Sequence, residues 1–166
     1  MLITLIRAIA QRTPTFVMRF FFNTYGPYLG AGIKVESISS DYKYLRVCLK
    51  LRFYNRNYVG TQFGGSIYAM TDPHYMFLLI NILGQDYVVW DKAATIDFVK
   101  PGKTHLYAEF RLTDDVVNMV KEKTSGGEKY IFDLPVTVLD SNGDVIANLS
   151  KTLYVRKKRK TAITAE

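Results

Sequence analysis

From residue 33 onward, hydrophobic and polar positions alternate with a period of two, broken once by a long apolar stretch. Leu45, Val47, Leu49, Leu51 and Phe53 alternate with Tyr44, Arg46, Cys48, Lys50 and Arg52, which predicts a strand with one buried and one wet face. Ile33–Ile38 is a shorter partner, joined to it through Ser39-Ser40-Asp41. Residues 87–99 and 104–112 read as two more strands, paired as a hairpin across the tight turn Lys100-Pro101-Gly102-Lys103. Residues 130–139 and 145–155 form a last hairpin, closed by Ser141-Asn142-Gly143-Asp144. Pro135 interrupts its strand and predicts a sheet edge or a bulge there. Between the hairpins, residues 114–127 read as a polar connector with a helical turn at 116–120.

The interruption, residues 64–83, is apolar on most sides and stops at Gly84, which predicts one long helix. A helix apolar nearly all round needs cover from more than its own flanks. An antiparallel sheet curled around it, polar on its outer face, supplies that cover. Open sheet edges and an incompletely covered helix predict pairing with further copies, as a dimer or a tetramer. The fold class is α+β, and the order of elements follows the logic of a hotdog fold: a curved antiparallel sheet wrapped around a long central helix. The same pattern also fits another α+β sandwich.

Upstream, Arg7, Arg12 and Arg19 are spaced among Leu, Ile, Phe and Met residues, as in one or two amphipathic helices. Thr13-Pro14 divides them, with Thr13 as N-cap and Pro14 at the first helical position. This arm either covers the domain's own sheet or lies on a membrane surface through its arginines and the Phe20-Phe21-Phe22 run. Met1 to Ile6 is apolar without a preceding positive charge, the reverse of a secretory signal. The chain thus divides into an arm (1–30), a single domain (31–155) and a basic tail (156–166).

Composition narrows the classes. A chain of 166 residues that is 48% hydrophobic and 14% aromatic packs a core as one domain and is not generally disordered. Cys48 is the only cysteine, so a disulfide framework is excluded. It reads as an inert, reduced thiol, which with the absence of a leader predicts a cytoplasmic protein. No apolar run reaches the roughly 18–20 residues of a membrane helix, so stable membrane insertion is not expected. The net charge is +7, but five positive charges lie in Arg156-Lys157-Lys158-Arg159-Lys160, leaving 17 basic against 15 acidic residues elsewhere. No aromatic residue interleaves the basic run at 156–160, so nucleic acid is not an expected partner. His74 and His105 lack neighbours at zinc-ligand spacing, and no phosphate-loop or dinucleotide fingerprint occurs. Neither metal nor cofactor is expected.

The stretch from Asn57 to Asp72 carries the candidate chemistry. Gly64-Gly65 opens the apolar helix, allowing close approach to backbone N–H groups where the helix dipole favours negative charge. A carbonyl oxygen gaining charge during acyl transfer suits that position. Asp72 lies about two turns further on, so its carboxylate can face a neighbouring copy's glycines as general base for water or as nucleophile. The structural alternative is that Asp72 merely caps a helix restarting at Pro73, since an interior proline costs about 3 kcal/mol.

These residues resemble the PaaI-like branch of hotdog acyl-CoA thioesterases, which shows an Asn, a His-Gly-Gly and an acidic residue nine positions after the His. Asn57, Phe63-Gly64-Gly65 and Asp72 occupy those places. Thr95 to Gly102 is similar to that family's third strand and proline-bearing turn, and Asp140 to Val145 to its acidic hairpin turn. The Phe63 to Pro73 run and Trp90 to Ala94 resemble more closely a bacterial group catalogued as DUF4442, thioesterase-like hotdog proteins without settled substrates.

The resemblance implies hydrolysis of an acyl-CoA to acid and CoA. Gly64 or Gly65 would polarise the carbonyl, Asp72 would be base or nucleophile, and Asn57 would orient the water or the attacked group. Asp91 stands where some relatives place a serine. Phe63 replaces the His, removing a hydrogen-bond donor, and so either lines an acyl tunnel or marks a non-catalytic acyl- or lipid-binding protein. Lys100, Lys103 and the tail lysines are candidates for the CoA phosphates.

Overall fold

The structure, a computed structural model, describes residues 13–159. The helix expected before Thr13 falls outside the described residues, as does the end of the basic run. Helix α1 spans Thr15–Thr24. Its N-cap is Pro14 rather than Thr13: the Pro14 carbonyl accepts from Val17 and Met18 N–H while its own ψ of 142° stays extended. Helix α2 (Gly26–Ala31) follows and ends at Gly32.

Strands β1 (Ile33–Ile38) and β2 (Tyr44–Leu49) pair antiparallel. Asn23 ties α1 to this edge, its side chain exchanging hydrogen bonds with the Val35 backbone at 2.8 and 3.0 Å. Leu45, Val47 and Leu49 are fully buried as the alternation requires. The strand stops at Leu49 rather than running to Phe53, which is 88% exposed. Asn55 turns the chain away: its amide donates to Lys50 and Ala31 carbonyls, and its oxygen accepts from Arg52 N–H.

The expected long helix is two helices, α3 (Gly64–Ala69) and α4 (His74–Leu83). Pro73 lacks an N–H and cannot sit inside a helix, so α4 restarts with Pro73 at its N-cap. The carboxylate of Asp72 caps neither helix. Tyr75, Phe77, Leu78, Leu79 and Leu83 of α4 are buried.

Strands β3 (Tyr87–Phe98), β4 (Leu106–Arg111), β5 (Lys129–Asp140) and β6 (Val145–Lys157) complete one antiparallel sheet in the order β1-β2-β4-β5-β6-β3. The β5–β6 hairpin forms as expected, but β3 and β4 are not a hairpin: β3 pairs with β6, and β4 with β2 and β5. The turn at 100–103 is therefore a crossover between separated strands. Because α4 packs against both β2 and β3, far apart in the strand order, the sheet has to curl around it. This is the hotdog arrangement, with the N-terminal helices packed at the β1 end.

Helix α5 (Asp114–Lys123) is fuller than the expected single turn. Thr113 caps it, accepting from Val116 N–H, while Asp114 and Asp115 sit at the positive end of the dipole and Val117 and Val120 are buried. Pro135 lies beyond the β4–β5 pairing, which covers only Val138 to Asp140 on β5. At that point β5 is a local edge, and the Pro135 carbonyl accepts from Tyr75 hydroxyl. Strand β6 runs through Arg156 and Lys157, so the basic run begins as strand.

Gly32 adopts φ +81°, and a Cβ there would lie 2.4 Å from Asn55 Nδ2 and 2.9 Å from Lys50 O. Gly32→Ala is expected to destabilise the fold by about 1–3 kcal/mol, read as a lowered midpoint in urea denaturation, whereas Gly143→Ala, with open space around it, pays only the backbone term.

Candidate active site

Residues Leu149, Lys151, Leu153 and Val155 share the inward parity of β6, and all are buried. Lys151 is 1% exposed, a charged side chain in a row of aliphatic ones. Such a group needs anionic partners, because an unpaired buried charge costs several kcal/mol. Two aspartates supply them. Lys151 Nζ donates to Asp72 Oδ1 at 3.0 Å and stands 3.7 Å from Asp91 Oδ1, with the Tyr68 ring centroid at 5.3 Å.

Each aspartate is delivered by an irregularity. Asp72 sits in the break between α3 and α4, where its carbonyl accepts from the buried Tyr28 hydroxyl. Tyr28 in turn contacts His74 Nε2 at 3.3 Å. Asp91 precedes a bulge in β3, where the pairing with β6 shifts between Asp91 and Ala93. Its parity is that of buried Val89, so it turns toward Lys151.

The electrostatics differ across the cluster. At 3.7 Å the Asp91–Lys151 contact is ionic and too long for a hydrogen bond, and both Asp91 oxygens are buried without a hydrogen-bond partner. Burial pushes the Asp91 carboxyl up to about 6; Lys151 opposes the shift and the neighbouring Asp72 reinforces it. Burial also pushes His74 down to about 3, so it is a neutral ring packed among Phe22, Tyr28 and Phe110. Burial raises the Cys48 thiol, consistent with an inert residue.

Asp72 is half-exposed and lines a largely apolar cavity of about 510 Å³ walled by Phe21, Phe22, Tyr25, Tyr28 and Tyr68. The glycines do not share it. Gly64 belongs to a second cavity of about 380 Å³, together with Asn57, Phe98 and Lys100. The N–H groups of Gly64 and Gly65 open α3 and have no intrahelical acceptor. Aromatic rings occupy the space their missing side chains leave: a Cβ would lie 3.2 Å from Phe98 at Gly64 and 2.4 Å from Phe63 at Gly65.

Asn57 is engaged in its own loop, donating to Thr61 Oγ1 and Gln62 O and accepting from Val59 and Thr61 N–H. Lys100 pairs with Asp144 at 2.6 Å, whereas Lys103 is exposed and has no carboxylate partner among the described residues. Asp72 and Asp91 are thus brought together, and Gly64, Asn57 and Lys100 form a separate group. Lys151 and Tyr28 were missed by the sequence reading. The signal for Lys151 was present as a lysine at core parity between Leu149 and Leu153.

The family model described as "Domain of unknown function (DUF4442)" matches residues 14–155. The chain belongs to this family. Among solved structures, it is similar to a Pseudomonas aeruginosa protein of unknown function, described as a probable thioesterase. The two are 18% identical over 87% of this chain and 97% of that one, with a TM-score of 0.79. A Haemophilus influenzae thioesterase shows 10% identity over 86% and 90% of the two chains, with a TM-score of 0.60. The PaaI protein of the E. coli phenylacetic acid degradation operon shows 13% identity over 87% and 92%, with a TM-score of 0.57. These likenesses establish the shared hotdog fold. No curated protein matches the chain.

An acid whose folded pKa is raised binds its proton more tightly when folded, so stability falls as pH rises through the window from its ordinary value to the raised one. For Asp91 that window runs from 3.8 to about 6. Denaturation midpoints of the wild type are expected to fall across it relative to Asp91→Asn, by about 1–3 kcal/mol in total, and the two curves to run parallel above it. A constant offset from pH 4 to about 7 would show that Asp91 titrates normally.

Proposed function

We propose that the chain hydrolyses an acyl thioester, releasing free acid and CoA from an acyl-CoA. The observation that carries this reading is the Asp72 carboxylate: half-exposed, fixed by Lys151 at 3.0 Å, and set in the wall of an apolar cavity of about 510 Å³. A cavity of that size and lining suits an acyl group. Asp72 takes a proton from water as the water oxygen attacks the thioester carbon. Collapse of the tetrahedral intermediate breaks the C–S bond, and the departing thiolate takes a proton to become the CoA thiol. Direct attack by Asp72, through an anhydride that water then opens, gives the same products.

In this reading carbonyl polarisation by Gly64 or Gly65 comes from another copy, since within one chain neither glycine lines the Asp72 cavity and Gly64 lines a separate one. The proposal therefore includes a homo-oligomer, a dimer or tetramer, in which Asp72 of one copy meets the glycines of the next. Asn57 acts by holding the loop before Phe63-Gly64-Gly65. Lys103 is the better placed cation for CoA phosphates because Lys100 is already paired. A cytoplasmic setting, where acyl-CoA is available, goes with this reading.

A second reading, a non-catalytic acyl- or lipid-binding protein, is favoured by one feature. The Phe63 ring lies on Gly65 and offers no hydrogen bond where the resembled thioesterases have a histidine. Thiol release from a panel of acyl-CoA thioesters separates the two. Turnover is expected in the wild type, and Asp72→Asn is expected to lower it by about 10²–10⁴-fold. Wild-type rates no higher than those of Asp72→Asn sink the hydrolase, and saturable acyl-CoA binding without product then supports the binder.

A further inference from the structure

Among the described residues, the N-terminal helices leave an apolar face uncovered. Phe16, Phe20, Phe21, Tyr25 and Leu29 are each between 55% and 66% exposed, on helices whose other side is tied to β1 through Asn23 and to the core through Phe22, which packs on Tyr28, His74 and Phe77. Clustered exposed aromatic side chains, with the Phe20 and Phe21 rings in edge contact, mark an interaction site more often than scattered exposure does.

Beside it is a cationic hollow. Leu29 also lines a cavity of about 230 Å³ whose charged residues are Lys34, Lys50 and Arg52. None of the three pairs with a carboxylate among the described residues, and no acidic side chain lines the cavity. Tyr54, 57% exposed, closes its rim. Aromatic and aliphatic side chains next to unpaired cations are the two components by which a surface helix binds an anionic bilayer: apolar insertion and attraction to lipid headgroups.

We propose that the α1–α2 face docks on an anionic membrane surface, with Phe16, Phe20, Phe21, Tyr25 and Leu29 entering the headgroup region and Lys34, Lys50 and Arg52 meeting the phosphates. No helix among the described residues is long and apolar enough to cross a membrane, so the chain lies on the bilayer. A second copy of the chain is the poorer occupant. A two-fold contact through this face buries the same patch of both copies, so each copy brings Lys34, Lys50 and Arg52 to the contact and no cavity carboxylate to neutralise them. The face is at the β1 end of the sheet and leaves the β3 edge, at the other end, free for assembly.

Two consequences follow from position alone. Phe21 and Tyr25 also wall the cavity that holds Asp72, so docking through this face sets that cavity beside the bilayer surface. Binding depends on both components, because the cations attract without holding and the aromatic residues hold without attracting.

Co-sedimentation of the full-length chain with vesicles tests this, comparing phosphatidylcholine alone with phosphatidylcholine mixed with phosphatidylserine. Wild type is expected to bind the mixed vesicles and not the neutral ones, with binding falling as salt rises. Lys50→Gln and Arg52→Gln are each expected to weaken it roughly fivefold. Phe20→Ser with Phe21→Ser, both on exposed positions, is expected to abolish sedimentation while the thermal melt stays unchanged. Three results overturn the proposal. One is wild type failing to bind the mixed vesicles. Another is phenylalanine variants that change oligomer mass and leave vesicle binding intact, which would assign the face to a second copy. The third is full competition by soluble glycerophosphoserine, which would assign the cations to a free phosphate.

Discussion

A lysine ammonium on the core face of an interior strand is the constraint around which this domain is arranged. Lys151 is flanked by Leu149 and Leu153 on β6 and is almost wholly withdrawn from water. Removing a charge from water costs more than most single contacts return, and the cost is met only by charges held at short range. Asp72 and Asp91 meet it, one from the α3–α4 break and one from the β3 bulge. The helix break, the bulge and the buried lysine are therefore one feature. The result is unequal: Asp72 reaches a cavity, while Asp91 is enclosed and its carboxyl is raised. Two carboxylates in unequal surroundings thus share one cation.

Much of the fold was legible in the sequence because strand parity is a local property. Leu45, Val47 and Leu49 declared a buried face, and the β5–β6 hairpin followed from its Asn-Gly turn. Connectivity was less legible. The turn at 100–103 has the residues of a hairpin, yet β3 and β4 are separated by β5 and β6, because nothing in a turn's composition reports which strands pair across the sheet. The single long helix was an over-reading of apolar content. Pro73 signalled the break, and the hydrophobic pattern continues through it because both helices bury the same kind of side chain.

The candidate site was half legible. Asp72, Gly64 and Gly65 stand out by type and spacing. Lys151 was hidden among the strand's polar positions, although counting by twos from Leu149 places it in the core. Asp91 was noticed for its position on the third strand, but its partnership with Asp72 depends on a bulge that composition does not announce. Asn57 looked like a group free to orient a ligand, and all its hydrogen bonds are instead spent on the loop that carries Phe63.

The two cavities express the remaining logic of the molecule. Asp72 opens onto an aromatic space built by the N-terminal arm, and Gly64 onto a separate one built by the crossover loop; the proposed hydrolysis joins the two across a pair of copies. The most direct measurement is a crystal structure with an acyl-CoA analogue in which methylene replaces the thioester sulfur. The account places the acyl chain in the Phe21–Tyr68 cavity, its carbonyl carbon beside Asp72 of one copy and its carbonyl oxygen about 3 Å from a Gly64 or Gly65 N–H of another. An analogue bound with its carbonyl out of reach of Asp72 would contradict it.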